Sequence, residues 1–257
     1  MSPDRRAAPG RSRDRVVAGR RTVLEAIRAG RTTEVLIARG ARATPALREV
    51  TRAADEAGVP MREVTRSELD ALASDHHGVA ARMGAVEPLD ERELATRPFD
   101  PDALVVVLDG IEDPQNLGAA ARSAEAAGAA MLVTRTRRSA DVSPAAIRAS
   151  AGALLHLPHA RVANIARALG RLRDGGFTIV GLHEGSPVTV YEVQRPPGRV
   201  AVVVGSEGEG MARLTREACD LLVALPVRGR VASLNASAAL AAVLYALVLR
   251  PDRSDGA

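Results

Sequence analysis

Five polar residues in three stretches of the chain have side chains able to bind a ligand. They are Asn116 and Arg122 in DPQNLGAAARSAEAAG, Glu207 in GSEGEGM, and Ser233 and Asn235 in LPVRGRVASLNASAALA. Carboxamides, a hydroxyl, a carboxylate and a guanidinium can hold a ligand by hydrogen bonds and charge. The residues alone leave other duties open: Asn116 stands where an N-cap is expected, Ser233 is a second candidate cap, and Arg122 fits a solvated helix face. Asn235 is the harder case, because it enters an apolar helix and needs hydrogen-bond partners if it is buried.

The same stretches exclude several chemistries. No lysine occurs, so all 35 basic residues are arginine, and neither a Walker-type phosphate loop nor a lysine Schiff base is available. Cys219 is the single cysteine, which removes intramolecular disulfides and thiolate metal cages. The pairs His76–His77 and His156/His159 lack a third ligand at helpful spacing, so no metal site is expected. Gly205, Gly208 and Gly210 are not spaced as a dinucleotide fingerprint, and Glu207 among them would repel phosphates. That loop suits an uncharged or cationic ligand.

The elements that must position these residues follow from hydrophobic periodicity. From residue 104 onward, apolar runs of buried-strand type (ALVVVLD, AAMLVT, FTIVGL, RVAVVVG, LLVALP) alternate with helical stretches, the last beginning near Leu234. SPAAIRASAGALL reads as one helix and VANIARALGRLRDGG as another. This alternation predicts an α/β fold, a mainly parallel sheet with helices on both faces, whose ligands sit beyond the carboxyl ends of the strands. Three loops are therefore singled out: 109 to 117, 205 to 211 and 226 to 235. Residues 16–83 read as a smaller α/β module, with Thr44 capping a helix that Gly58 ends. Residues 84–103, rich in proline and acidic side chains, read as a linker between it and the domain spanning 104–257.

The formal charge of +4 and a pI near 10.3 suit a polyanionic partner. Residues 1–15 hold five arginines against two aspartates, as expected of a basic disordered tail that could also attract phosphates. With only four aromatic residues (Phe99, Phe177, Tyr191, Tyr245), base stacking on aromatic platforms cannot be extensive. No signal peptide or membrane span is read, so the expected location is the cytoplasm.

Taken together and in order, the three motifs resemble the SpoU/TrmH family of RNA ribose 2′-O-methyltransferases, the knotted S-adenosylmethionine-dependent class. Asn116 with Arg122 matches its first motif, GSEGEGM the second and LPVRGRVASLNASAALA the third; SAGALLHLPHARVANIARAL between them is similar too. The N-terminal module, from VAGRRTVLEAIRAG to DHHGVAARM, resembles the substrate-binding domain of the subgroup that acts on a 23S rRNA guanosine. One departure is Ala236, where that subgroup often carries a bulkier residue after the asparagine.

The resemblance implies a trefoil-knotted catalytic domain, a homodimer with its active site near the subunit interface, and S-adenosyl-L-methionine as cofactor. Cofactor contacts are implied at Gly205, Leu225 and Leu234. Catalytic roles are implied for Arg122, Asn116, Glu207, Ser233 and Asn235. The implied substrate is 23S ribosomal RNA; the alternatives are another 23S position, a tRNA ribose, or RNA binding without catalysis during ribosome assembly.

Overall fold

The computed structural model describes residues 15–229 and 234–249, which divide into two compact units, one ending at Val86 and the other beginning at Glu87. The expected basic tail lies outside the described residues except for Arg15.

In the first unit β1 (Arg15–Ala18), α1 (Arg20–Arg28), β2 (Thr32–Ala38), α2 (Pro45–Glu56), β3 (Met61–Val64), α3 (Arg66–Leu72) and β4 (Val79–Met83) follow one another. The sheet order is β1-β4-β2-β3, with β2 and β3 parallel and the other pairs antiparallel. Thr44 caps α2 as anticipated, accepting from the Leu47 amide. Pro45 follows at N1, where its missing N–H costs nothing. Four-residue β1 was not foreseen, being too short to show a period of two. On one face of the sheet Leu36, Ala38, Val64 and Ala80 enclose Leu69 of α3.

In the second unit the segment expected to be a linker instead contains α4 (Glu91–Thr96). Asp90 and Glu93 form a capping box at its start, Leu94 is buried in the core, and Glu91 receives both nitrogens of the Arg167 fork at 2.6 and 2.7 Å. One buried leucine in a six-residue helix leaves no periodic signal in the sequence.

The rest of the unit is β5 (Leu104–Asp109), α5 (Pro114–Ala126), β6 (Met131–Arg135), α6 (Pro144–Ala149), α7 (Ala153–His156), β7 (His159–Val162), α8 (Ile165–Asp174), β8 (Phe177–Leu182), β9 (Arg199–Gly205), α9 (Arg213–Glu217), β10 (Leu221–Val223) and α10 (Ala236–Val243), continued by a π-helical turn, Leu244–Val248. The helix expected as one piece is broken into α6 and α7 because Ala151 and Gly152 adopt φ of 51° and 96°, which no right-handed helix can contain. Strand β7 was also unforeseen.

All six strands are parallel, in the order β10-β8-β9-β5-β6-β7. Every residue of β5 is buried, as the continuous apolar run predicts for a central strand covered on both faces. Val105, Val107, Ala201 and Val203 pack with α4 and α8 on one face. Alternation sends Val106, Leu108, Val202 and Val204 to the other, where α10 packs against α5 and β9.

The chain runs outward from β5 through β6 to β7, then returns to build the other half of the sheet, so the order reverses between β5 and β9. Asp109 and Gly205, the last residues of these strands, are paired in register, and their two loops leave the sheet side by side. A crevice beyond such a reversal is where open α/β sheets bind ligands. The expected knot depends on the path from β10 to α10, which includes residues 230–233, outside the described residues.

Candidate active site

The loop after β5 is pinned by Asp109. Its buried carboxylate accepts the Ala212 amide at 2.9 Å through Oδ2, and its Oδ1 lies 3.5 Å from Arg135 Nη1. One side chain thus ties the end of β5 to the start of α9 and to the end of β6. Asp113, rather than Asn116, is the N-cap of α5, with Pro114 at N1. Asn116 therefore stands in the first turn with its carboxamide free for other partners.

The loop after β9 folds back on itself, with Ser206 and Gly210 exchanging both backbone hydrogen bonds. Gly205 is required here: a Cβ would lie 2.1 Å from both Gly210 C and Met211 N. Gly208 and Gly210 take φ of 83° and 67°, the left-handed region glycine enters without steric cost. This tight return presents Glu207.

Asn235 is the N-cap of α10, with Oδ1 accepting from the Ser237 and Ala238 amides and from Ser237 Oγ. The capping role expected of Ser233 thus belongs to Asn235, which is exposed rather than buried; Ser233 itself lies outside the described residues. The other end of the same carboxamide does different work. Asn235 Nδ2 donates to Glu207 Oε1 at 2.6 Å and to Asn116 Oδ1 at 2.7 Å, and Asn116 Nδ2 donates to Glu207 Oε1 at 2.8 Å. Three loops are closed into one ring of hydrogen bonds, and Ala236 N adds a longer contact to Glu207 at 3.4 Å. Capping and cross-linking by one residue account for an asparagine at the head of an apolar helix.

Two cavities flank this ring. The first, about 360 Å³, is lined by Leu182 at the end of β8, by His183 and Glu184 after it, by residues 204–211, and by Arg216, Leu225, Val227, Leu234, Ala236 and Ala239. Gly205, Leu225 and Leu234, expected at a cofactor, all line it. The second, about 780 Å³, is bounded by the loop after β5, by Asn116, Arg135 and Arg138, and by Ser206 to Arg213. Glu207 lines both.

Arg122 is not part of this assembly. It is exposed on α5, six residues beyond Asn116, so about 9 Å farther along the axis and about 120° around it. It lines neither cavity, and its side chain has no hydrogen bond or ion pair with the described residues. His183, Glu184 and Arg216 were missed; the end of FTIVGL, which carries His183 and Glu184, is a fourth strand terminus, and the rule that selected the other three loops would have selected it too. Arg135, Arg138 and Arg213 were also missed, since nothing local distinguishes them from other charged side chains, and Asp109, at the start of a loop that was singled out, had been given no role.

Two of the four histidines considered for a metal are otherwise engaged. His76 Nε2 is 2.9 Å from Asp70 Oδ1, and His159 Nε2 is 2.8 Å from Thr134 Oγ1. Among the described residues no group of three or more His, Cys, Asp or Glu could hold a metal ion. No helix among them is long and apolar enough to cross a membrane.

Comparison with known proteins gives a consistent result. The SpoU rRNA Methylase family matches residues 103–245, and the RNA 2'-O ribose methyltransferase substrate binding family matches residues 16–89. The chain is 42% identical over 246 residues to an uncharacterized tRNA/rRNA methyltransferase of Mycobacterium ulcerans, covering 93% of this chain and 79% of the relative. Its fold is similar to the SpoU methyltransferase AviRb of Streptomyces viridochromogenes solved with AdoMet (TM-score 0.73, 27% identity, 90% and 88% of the two chains). It is also similar to a crystal structure of an RNA 2'-O ribose methyltransferase (TM-score 0.77, 30% identity, 93% and 89%).

Proposed function

We propose, from the premise that the chain belongs to the SpoU rRNA Methylase family of RNA methyltransferases, that it methylates a ribose 2′-hydroxyl of RNA, with a guanosine of 23S ribosomal RNA as the target. The observation that carries this reading is the Asn116–Glu207–Asn235 ring, which stands in the wall between two cavities and joins all three motif loops.

The first cavity fits S-adenosyl-L-methionine. Apolar Leu225, Val227, Leu234, Ala236 and Ala239 suit an adenine ring, and the backbone of the folded loop after Gly205 supplies polar groups. Glu184, Glu207 and Glu209 favour a cationic ligand over a nucleotide phosphate. When bound, the cofactor supplies an electrophilic methyl group on its sulfonium.

The protein must then align the weakly nucleophilic hydroxyl and manage its proton. Glu207 is fixed by two carboxamides, so its orientation toward a substrate is preset. A guanidinium carries its proton permanently, so the role of Arg122 is to orient the hydroxyl and stabilise developing alkoxide charge. Its exposure outside both cavities of its own chain supports a homodimer in which Arg122 completes the neighbouring subunit's site.

The test is incubation with unmodified 23S rRNA and radiolabelled S-adenosylmethionine, then mapping of methylated riboses by primer extension at limiting nucleotide concentration. One stop in the peptidyl-transferase region is expected. A stop elsewhere changes the target; incorporation into bases alone, or none despite cofactor binding, overturns ribose methylation.

A further inference from the structure

The second cavity is larger than a ribose requires. At about 780 Å³ it lies within the roughly 300–1,000 Å³ of pockets that enclose a whole small molecule. It shares Ser206, Glu207, Glu209, Gly210 and Met211 with the first cavity, so a group placed in it stands across a single wall from the cofactor's cavity.

Its charges are not equally available. Asp109 is held by Arg135 and the Ala212 amide, Asp113 caps α5, and Glu207 accepts from two carboxamides, which leaves Glu112 and Glu209 as the carboxylates not engaged in these contacts. Among the guanidinium groups, Arg138 is exposed and has no hydrogen bond or ion pair among the described residues. Arg213 pairs with Glu217 one turn later on α9, at side-chain exposures of 70% and 53%, a surface pair that an incoming anion can displace at little cost.

The two arginines approach from opposite sides. Arg138 follows β6 and Arg213 follows β9, and these strands flank β5, whose loop also lines the cavity. Arg138 also holds φ at 52°, a left-handed conformation that non-glycine residues seldom adopt and that concentrates at functional sites.

Resting on the reading that a ribose hydroxyl is the methyl acceptor, we propose that this cavity receives the whole target nucleotide, unstacked from its neighbours, and that Arg138 and Arg213 hold the two phosphates that flank it. Splayed-out nucleotides are the usual object of specific RNA recognition, and guanidinium forks match phosphate oxygens.

The smallest probe of this class is guanosine 3′,5′-bisphosphate, with guanosine as its phosphate-free counterpart. Both are titrated calorimetrically at low salt into the full chain saturated with S-adenosylhomocysteine. The bisphosphate is expected to bind at least tenfold tighter than guanosine, and Arg138→Gln and Arg213→Gln each to lose several-fold in its affinity without changing that of guanosine. Equal affinities for the two probes, or glutamine variants that bind the bisphosphate as the wild type does, overturn the proposal. Methyl transfer to RNA by the wild type, measured in parallel, separates the two levels: activity with phosphate-indifferent variants removes the proposal alone, whereas failure to methylate any 2′-hydroxyl removes the reading and the proposal with it.

Discussion

At the scale of single residues, Asn235 carries two duties that substitution can separate. Asn235→Asp keeps the oxygen that accepts from Ser237 and Ala238 but replaces the amide donor with a second carboxylate 2.6 Å from Glu207 Oε1. The cap should survive, with a change in stability below about 1 kcal/mol by thermal melting, while methyl transfer falls at least about tenfold because the ring opens. Asn235→Ala loses both functions and should cost about 1 kcal/mol as well. Arg122→Lys is expected to lose most turnover, on the order of tenfold or more, since an ammonium cannot reproduce a planar fork. Because Arg122 has no partner among the described residues, its melting temperature should not move; initial rates near the wild-type value would exclude its role.

Packing between elements sets a second group of expectations. Gly118 lets α5 lie against α6 at close range: a Cβ there would fall 2.5 Å from Ala149 Cβ and 2.6 Å from the Ala146 carbonyl oxygen. Both are helical positions with nowhere to retreat, so Gly118→Ala should destabilise the domain by about 1–3 kcal/mol in denaturant unfolding. Strand β7, at the edge of the sheet, buries His159 beside Thr134 of β6, where burial, aided by Arg161 and opposed by Asp141, pushes its pKa down to about 4. The folded state therefore holds His159 neutral while the unfolded chain takes up a proton below about 6.5. Its contribution is intact above pH 6.5 and is lost as the pH falls toward 4, on the order of 3 kcal/mol in total. Denaturant midpoints measured between pH 7 and pH 4 should fall across that window in the wild type and fall less in His159→Gln.

For the molecule as a whole, the arginine-only cationic surface makes RNA affinity a matter of counterion release. Binding to a ribosomal RNA fragment should weaken steeply between about 50 and 200 mM salt, by orders of magnitude if several phosphates are contacted. A filter-binding titration that shows a flat dependence would exclude arginine–phosphate contacts as the main source of affinity. Replacing Arg138 should lower the slope by about one phosphate contact, linking this bulk property to the second cavity.

How much of this was legible beforehand depended on the range of the signal. Alternation of apolar runs with helical stretches and glycine after strands are local signals, and they were enough to predict the parallel sheet and the three loops at its edge, as a local signal also gave the cap at Thr44. Four-residue β1 and β7 and six-residue α4 carry too few apolar positions to register, and tertiary contacts hold them in place. The ring at the candidate site joins residues 28, 91 and 119 positions apart. The sequence by itself supplied the side chains able to do chemistry and the turns that carry them; only the tertiary structure decided that Asn116, Glu207 and Asn235 meet while Arg122 stands apart, because such distances follow from strand order and register and not from spacing along the chain.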